Sequence, residues 1–205
     1  MKNKKWVVVF PLLSFIWLAV TVIIAGENFS DYNHAHQFIS ELGASGAPLS
    51  FEVNYWGFFP TEILIILFSI NLYFILPRSK LKWVGIVVLN AYALSYMLAA
   101  VYPCDFGCRP TNPSMSNELH FLFGGLAYLL GVVVILVLAF ESRHWCQSRV
   151  PLVSGGCISV VVLSMLGTID LEVEYSGLMQ RICETLIYSW FILYASYIYR
   201  TRSIK

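Results

Sequence analysis

The composition of this 205-residue chain excludes an ordinary soluble domain, because 58% of its residues are hydrophobic and only 12% are charged. Its mean hydropathy of +0.70 is typical of a protein surrounded by lipid. The formal net charge of +1 provides no excess of positive charge for binding nucleic acid. Membrane lipid is therefore the expected partner, and protein partners and oligomeric state are left open.

Six apolar segments follow one another along the chain, each close to the roughly 20 residues that a helix needs to cross a hydrocarbon core of about 30 Å. They lie near residues 6–25, 57–76, 83–101, 119–140, 151–169 and 178–199. The first follows the basic run MKNKK, but it is long for a secretory signal and lacks a good cleavage site, so we interpret it as a span. The chain is predicted to form an all-α membrane protein, one bundle of six transmembrane helices over residues 1–205.

The charged residues predict the orientation of this bundle. The basic ones occupy the N-terminus, the second and fourth loops and the C-terminus: Lys2, Lys4, Lys5, Arg78, Lys80, Lys82, Arg143, Arg149, Arg200, Arg202 and Lys205. By the positive-inside rule, both termini and these loops are cytoplasmic, in a multi-pass protein of the bacterial cytoplasmic (inner) membrane. The acidic residues agree, because they lie in or beside the first, third and fifth loops: Glu27, Asp31, Glu41, Glu52, Asp105, Glu118, Asp170, Glu172 and Glu174.

The first external loop contains the polar sequence HAHQFISELGASG over residues 34–46. Its pattern predicts a short amphipathic helix that begins at Asp31 as N-cap and stops at Gly43. If the segment is extended instead, His34 and His36 point the same way and could both ligate one metal ion. The spacing leaves both conformations open.

Two cysteines lie in the third loop, in the sequence YPCDFGCRP. On the predicted topology Cys104 and Cys108 face an oxidising compartment, and a short turn that contains glycine can bring their Cα atoms within disulfide range. We therefore predict a disulfide, with two free thiols as the alternative. Metal binding by this pair is less favoured, because no second cysteine pair accompanies it.

Three ionisable residues lie inside predicted spans near their outer ends: Glu62 in the second, and Arg181 and Glu184 in the sixth. Such residues are costly in a membrane and indicate a functional site when a partner can be named. The alternative roles are structural. Glu62 would interact with the dipole of its helix, and Arg181 and Glu184 would neutralise each other on one helix face.

His120 opens the fourth span, and with three other residues it supplies ligand types that zinc prefers. The candidate metal ligands are His34, His36, Asp105 and His120, which come from three segments without a dense local motif. The alternative is that the histidines only form hydrogen bonds and cap helices at the outer interface. We therefore expect no cofactor, with zinc as the alternative.

Four motifs resemble those of a known family. They are HQFISELGA in the first external loop, YPCDFGC after the third span, NELHFLFGG opening the fourth and GLMQRICE opening the sixth. In order and placement, over nearly the whole chain, they resemble the bacterial membrane proteins catalogued as domain of unknown function 998. The stretch 39–43 and the six-span plan are more weakly similar to the Frag1/DRAM/Sfk1 proteins, a group linked to lipid and membrane homeostasis.

The resemblance implies a six-span membrane protein and supplies no activity. The family pattern points to residues that all lie on the predicted outer side: His34, Ser40, Glu41, Gly43, Cys104, Asp105, Cys108, His120, Gln180 and Arg181.

The sequence thus predicts a ligand site near the outer ends of the spans, built from His34, Glu41, Glu62, Asp105, His120, Arg181 and Glu184. The preferred hypothesis is that the protein binds or moves a lipid or other amphiphile there, with Arg181 holding an anionic head group. A second is an intramembrane lipid-modifying enzyme that uses a metal ion or acid/base catalysis. A third is a structural assembly partner. Binding or transport is preferred because no compact catalytic motif such as HExxH or GxSxG occurs.

Overall fold

The computed structural model describes residues 4–167 and 174–201, which contain six α-helices and no strand. The helices are α1 (Trp6–Glu27), α2 (Phe59–Ile75), α3 (Lys80–Val101), α4 (Met115–Glu141), α5 (Val150–Leu166) and α6 (Ser176–Arg200). A π-helix, Glu52–Phe58, leads directly into α2, and short 3-10 helices occur at Ile39–Gly43, Phe106–Cys108 and Ser142–His144. Each predicted segment corresponds to one observed helix. The end of the fifth segment lies outside the described residues, as do Asp170, Glu172, Lys2, Arg202 and Lys205.

Four helical stretches are long and apolar enough to cross a membrane: Trp6–Glu27, Glu52–Ile75, Lys80–Val101 and Met115–His144. Helix α5 is apolar but shorter, with 17 residues, and α6 has 25 residues that include three charged ones. Large apolar side chains are exposed along these helices, as in Ile23, Val87 and Leu122. An exposed surface of this kind suits lipid rather than water. The chain is therefore a multi-pass helical membrane protein.

The six helices form a closed ring in chain order, because each packs against its chain neighbours and α6 packs against α1. Large side chains fill the interior of this ring. Phe68 and Tyr92 lie in contact with the aromatic ring of Phe191, and Trp190 stacks on Tyr194. All five of these side chains are essentially inaccessible. The result is a packed core rather than an open channel.

The connections meet at two ends of the ring. At one end the two described termini come together, where the Lys4 ammonium donates a hydrogen bond to the carbonyl of Thr201 at 2.9 Å. We call the other end the loop end, because the α1–α2 and α3–α4 connections and the start of α6 meet there. The amide of Ser45 donates to the carbonyl of Cys104 at 2.8 Å, and other first-loop groups bond to the start of α6.

The disulfide predicted in the third loop is confirmed. Cys104 and Cys108 are joined with their Cα atoms 5.1 Å apart, and both are fully buried. They pack with Ala44 and Ala47 of the first loop in a small apolar cluster of their own. The disulfide therefore shapes the turn on which the first loop rests. Cys146, Cys157 and Cys183 are free.

The helix predicted from Asp31 is wrong in its extent. Asp31 has a positive φ of 60°, which is incompatible with an N-cap, and only Ile39–Gly43 forms a helical turn. The carboxylate of Glu41 accepts a hydrogen bond from the amide of Phe38 at 2.9 Å and so closes the start of that turn. The rest of the segment is irregular because its backbone groups bond to other elements, including α6.

Close packing of the first loop against α6 predicts a strong steric effect at Gly177. A Cβ there would lie 2.7 and 2.8 Å from the carbonyl carbon and amide nitrogen of Gln37, and closer still to its carbonyl oxygen. Because backbone atoms cannot rotate aside, we expect Gly177→Ala to displace the loop and to cost about 1–3 kcal/mol of stability. Gly156→Ala is the matched control, since a Cβ there meets no atom within 4 Å. Thermal unfolding in detergent checks this, and equal midpoints for the two variants would contradict it.

Candidate functional site

A cavity of about 70 Å³ lies inside the bundle beneath the first loop. That volume accommodates several water molecules or a small polar group, since one water needs at least about 10–15 Å³. Its wall is formed by α1, α2, α3, α4, α6 and the first loop. We call it the carboxylate cavity after Glu62 and Glu184. Its polar lining residues are Ser40, Thr61, Glu62, Tyr96, His120, Tyr128, Gln180, Glu184 and Tyr188.

Glu184 connects three helices at the cavity through its hydrogen bonds. Its Oε1 accepts hydrogen bonds from the hydroxyls of Tyr96 on α3 and Tyr128 on α4, both at 2.7 Å. The carboxyl group, on α6, therefore joins three helices at one point. In a membrane interior such bonds are specific connections, because no bulk water competes for them.

Glu62 faces the same cavity from α2 and is only 3% exposed. Its Oε1 accepts a hydrogen bond from the hydroxyl of Tyr188 at 2.7 Å, whereas its buried Oε2 has no hydrogen-bond partner. A buried polar atom without a partner is costly and uncommon in folded proteins. Glu141 also has an unpartnered oxygen, Oε1, but among these two carboxyl groups only Glu62 lines the carboxylate cavity.

His120 lines the cavity from the first turns of α4. Its Nδ1 lies 2.8 Å from the carbonyl oxygen of Ala99 and 3.1 Å from that of Tyr102. Because both partners are acceptors, Nδ1 carries a proton, and in the neutral ring Nε2 is then the acceptor. The residue thus anchors the end of α3 to α4.

A groove of about 220 Å³ continues from the cavity along the surface between α4 and α6. We call it the α4–α6 groove. Gly124 and Gly125 form its floor, and a Cβ at either position would meet no atom within 4 Å. Phe121 and Leu166 border it. The cavity is therefore continuous with an apolar surface on the side of the bundle.

Arg181 bonds to the first loop, and within residues 4–167 and 174–201 it forms no hydrogen bond to a carboxylate. Its guanidinium donates to the carbonyl of Gln37 at 2.8 Å and to the hydroxyl of Tyr32 at 2.6 Å, and it lies 3.1 Å from Nδ1 of His34. No hydrogen bond joins it to Glu184, so the two residues do not neutralise each other as the alternative interpretation expected. Burial raises the pKa of Tyr32 to about 12, so its hydroxyl remains a neutral partner.

A second arginine, Arg109, has the same role, although no sequence motif indicated it. Arg109 donates to the hydroxyl of Ser176 at 3.0 Å and lies 3.5 Å from the carbonyl of His36, while its guanidinium stacks over the ring of Phe38. Arg181 similarly stacks over Tyr32. The sequence pattern that could have identified both arginines is their position in or beside the predicted outer loops, where the positive-inside rule leaves few basic residues.

The predicted site residues lie in three places: the carboxylate cavity, an adjoining hollow, and turns of the loops. Glu62, His120 and Glu184 line the carboxylate cavity. His34 and Arg181 lie beside each other at an adjoining hollow between α1 and α6.

Glu41 and Asp105 belong to neither place and hold loop turns. Asp105 accepts hydrogen bonds from the amide and hydroxyl of Ser114 at 2.8 and 2.7 Å, and these bonds hold its pKa below the usual range. Tyr128 and Tyr188, which bond to the two cavity carboxyl groups, were not among the residues predicted from the sequence.

The four candidate metal ligands are occupied at separate places. His36 Nδ1 contacts the carbonyl of Glu174, whereas His34, Asp105 and His120 have the partners described above. Within residues 4–167 and 174–201, no group of three or more His, Cys, Asp or Glu side chains could hold a metal ion.

Fold and site together define a multi-pass helical membrane protein with a polar cavity near one end of its bundle. The chain belongs to the family described as Protein of unknown function (DUF998), whose model matches residues 12–197. This confirms the resemblance drawn from the four motifs, but the weaker similarity to the Frag1/DRAM/Sfk1 proteins is not shown. No curated protein and no solved structure matches the chain.

The contact between His34 and Arg181 predicts that the first loop loosens in acid. The pKa of His34 is lowered mainly by burial and, to a smaller extent, by the nearby Arg181 guanidinium. The folded loop therefore favours the neutral ring, so this contribution to stability is present above the usual histidine pKa of about 6.5 and is lost as the pH falls below it. We expect amide exchange at residues 32–38, corrected for the intrinsic rate, to rise between about pH 7.5 and pH 5.

His34→Gln is the control for this experiment, because its side chain does not titrate. Its loop should show the same corrected exchange at both pH values. An acid-induced rise of equal size in the variant would assign the effect to another group.

Proposed function

We propose that this chain is a six-span protein of the bacterial cytoplasmic membrane that binds or moves an amphiphile in the carboxylate cavity. In this proposal the loop end faces outward and both termini are cytoplasmic. The ring arrangement supports six spans, since α5 and α6 lie beside helices that are long enough to cross. At 1.5 Å per residue, α5 is about 25 Å long and α6 about 37 Å, compared with a hydrocarbon core of about 30 Å.

The distribution of charge supports this orientation. Of the 13 Lys and Arg residues, all but Arg109 and Arg181 belong to the termini or to the α2–α3 and α4–α5 connections and their flanking turns. Of the two exceptions, Arg109 is held by the hydroxyl of Ser176 on α6 and the carbonyl of His36, and Arg181 by the first loop. The disulfide at the loop end also suits an oxidising compartment.

The unpartnered Oε2 of Glu62 is the observation on which the binding proposal rests. An ionisable group inside a membrane bundle is retained against its cost when it serves a ligand, an ion or a proton. Glu62, with this unpartnered oxygen, lines a cavity that would accept only a small polar group. The apolar part of the ligand would lie in the α4–α6 groove, where Gly124 and Gly125 leave space.

This arrangement changes the role first expected for Arg181. Its guanidinium already bonds to the carbonyls of Gln37 and Gly177 and to the hydroxyl of Tyr32. It therefore positions the first loop above the cavity, and we do not assign it an anionic head group.

The six-span topology is tested with reporter fusions. We expect a cytoplasmic signal from fusions after Lys80, Arg149 and Arg202, because these sites are in or beside the basic connections and the basic C-terminus. We expect an external signal from fusions after Glu52, Pro110 and Glu174. A clear signal from the opposite side at any fusion in a connection between helices would overturn the six-span topology.

Binding of an amphiphile is tested by filling the groove. Gly124→Phe should reduce the occupancy of co-purified lipid by about tenfold or more, because the added ring would occupy the space proposed for the apolar tail. Gly156→Phe is the matched control on α5, where a Cβ also meets no atom within 4 Å. Native mass spectrometry of the detergent-purified proteins measures the bound lipid.

Equal lipid occupancy in the two glycine variants would remove the groove from the proposal. Stoichiometric zinc in the same samples would instead favour a metal-dependent lipid-modifying enzyme. Wild-type protein that carries no amphiphile and takes none up from added lipid would favour the role of an assembly partner.

A further inference from the structure

We propose that the head group bound in the carboxylate cavity is a protonated amine, and that Glu62 releases a proton when this cation binds. The inference rests on the proposed function, to which it adds the charge of the ligand. It is carried by the bonding of the two cavity carboxyl groups and by the aromatic lining of the cavity.

Glu62 and Glu184 line one cavity, and neither forms an ion pair with a described residue. The hydrogen bonds that their side chains accept all come from tyrosine hydroxyls. Two negative charges in a water-poor interior repel each other, and each also loses its hydration. The pair is therefore stable only when a proton or a bound cation neutralises one of the two groups.

The unequal bonding of the two groups indicates which one carries the proton. Glu184 accepts two hydrogen bonds on one oxygen, and such donors stabilise the negative charge of a carboxylate. Glu62 accepts a single bond from Tyr188, and its Oε2 is buried without a partner. Glu62 is therefore the carboxyl group that is neutral before the ligand binds.

The other titratable groups around Glu62 supply no cation to it. They are Tyr92 and Tyr96 from α3, His120 and Tyr128 from α4, and Tyr188 from α6, while α1 and the first loop contribute Leu18, Ile39 and Ser40. The Nδ1 atom of His120 contacts the carbonyls of Ala99 and Tyr102 and not a carboxylate. A ligand cation thus has no competing positive charge within contact of Glu62.

The proposed exchange balances in charge and in atoms. An ammonium head group enters and donates a hydrogen bond to Oε2 of Glu62, while the proton of that carboxyl group leaves to the solvent. The net charge of the cavity is the same before and after. An anionic head group would add a second negative charge to that of Glu184, and an uncharged alcohol would bind without releasing a proton.

The lining of the cavity favours an organic cation over a metal ion. Phe58, Tyr96, Tyr128 and Tyr188 all contribute to its wall, and aromatic ring faces attract ammonium groups, most strongly where water is excluded. Hard metal cations instead take about six or more oxygen ligands. The apolar α4–α6 groove beside the cavity fits the alkyl tail of such an amine.

The test compares three ligands with the same decyl tail: decylammonium, decanol and decanoate. Full-length protein in an uncharged maltoside detergent is titrated with each ligand, and a pH-indicator dye in weak buffer reports proton release. We expect decylammonium to bind about tenfold or more tightly than the other two. We also expect about one proton to be released for each amine bound.

Glu62→Gln should abolish the proton release and the preference for the amine, while decanol still binds. The amide keeps an oxygen for the hydroxyl of Tyr188, so the local hydrogen bond is preserved. Glu141→Gln is the matched control, because Glu141 is also fully buried with one unpartnered oxygen, but it lies at the opposite end of α4, where its other oxygen bonds to Trp145 and Tyr194. It should behave as wild type does.

The wild-type titrations alone distinguish failure of the amine inference from failure of the proposed function. Equal binding of all three ligands without proton release would overturn the amine inference and leave the proposed function standing. No binding of any of the three would count against both. If sodium or potassium displaces the amine and releases the same proton, the cation that the cavity binds is a metal ion and not an amine.

Discussion

Hydrogen bonds between buried carboxyl groups and tyrosine hydroxyls are the constraint on which the bundle depends. Lipid gives helices no hydrophobic reason to associate, so polar contacts and close packing select their neighbours. Glu184 draws α3 and α4 towards α6 through Tyr96 and Tyr128, and Glu62 on α2 is joined to α6 through Tyr188. The same groups border a cavity beneath the first loop, so one set of contacts both closes the ring of helices and creates the candidate site.

The helices and the disulfide could be predicted from sequence because their signals are local. Apolar runs of membrane-spanning length and a short cysteine spacing depend on neighbouring residues alone. The partner of Arg181 could not be predicted in this way. At about 100° per residue, positions 181 and 184 differ by roughly 60° around the helix, enough for their side chains to contact different elements. The choice between Glu184 and the first loop depends on the order of the ring, which no single segment specifies.

The first loop shows how tertiary contacts override a local helix pattern. Its backbone carbonyls at Ala35, His36 and Gln37 accept hydrogen bonds from α6 and from both arginines of the loop end. A helix over this segment would have used the same carbonyls internally. The loop is therefore held in an irregular form, and only the turn closed by Glu41 remains helical. Candidate residues such as Glu41 and Asp105 belong to this scaffold, although their residue types alone suggested a ligand site.

An arginine on the side that the positive-inside rule leaves poor in basic residues is therefore a weak indication of an anionic ligand. The loop carbonyl of Gln37, the carbonyl of Gly177 in its own helix and a neutral tyrosine satisfy Arg181 well enough to account for its position. The carboxyl group of Glu62 is different, because the protein supplies one hydrogen bond to a group that can accept several, and none to Oε2. A satisfied charge indicates architecture, whereas an incompletely satisfied carboxyl group in a cavity wall leaves room for a ligand to complete it; Glu141, whose Oε1 is also unpartnered, does not line that cavity. The chemistry of this protein is therefore to be sought at Glu62, and the arginines explain why the loop lies above it.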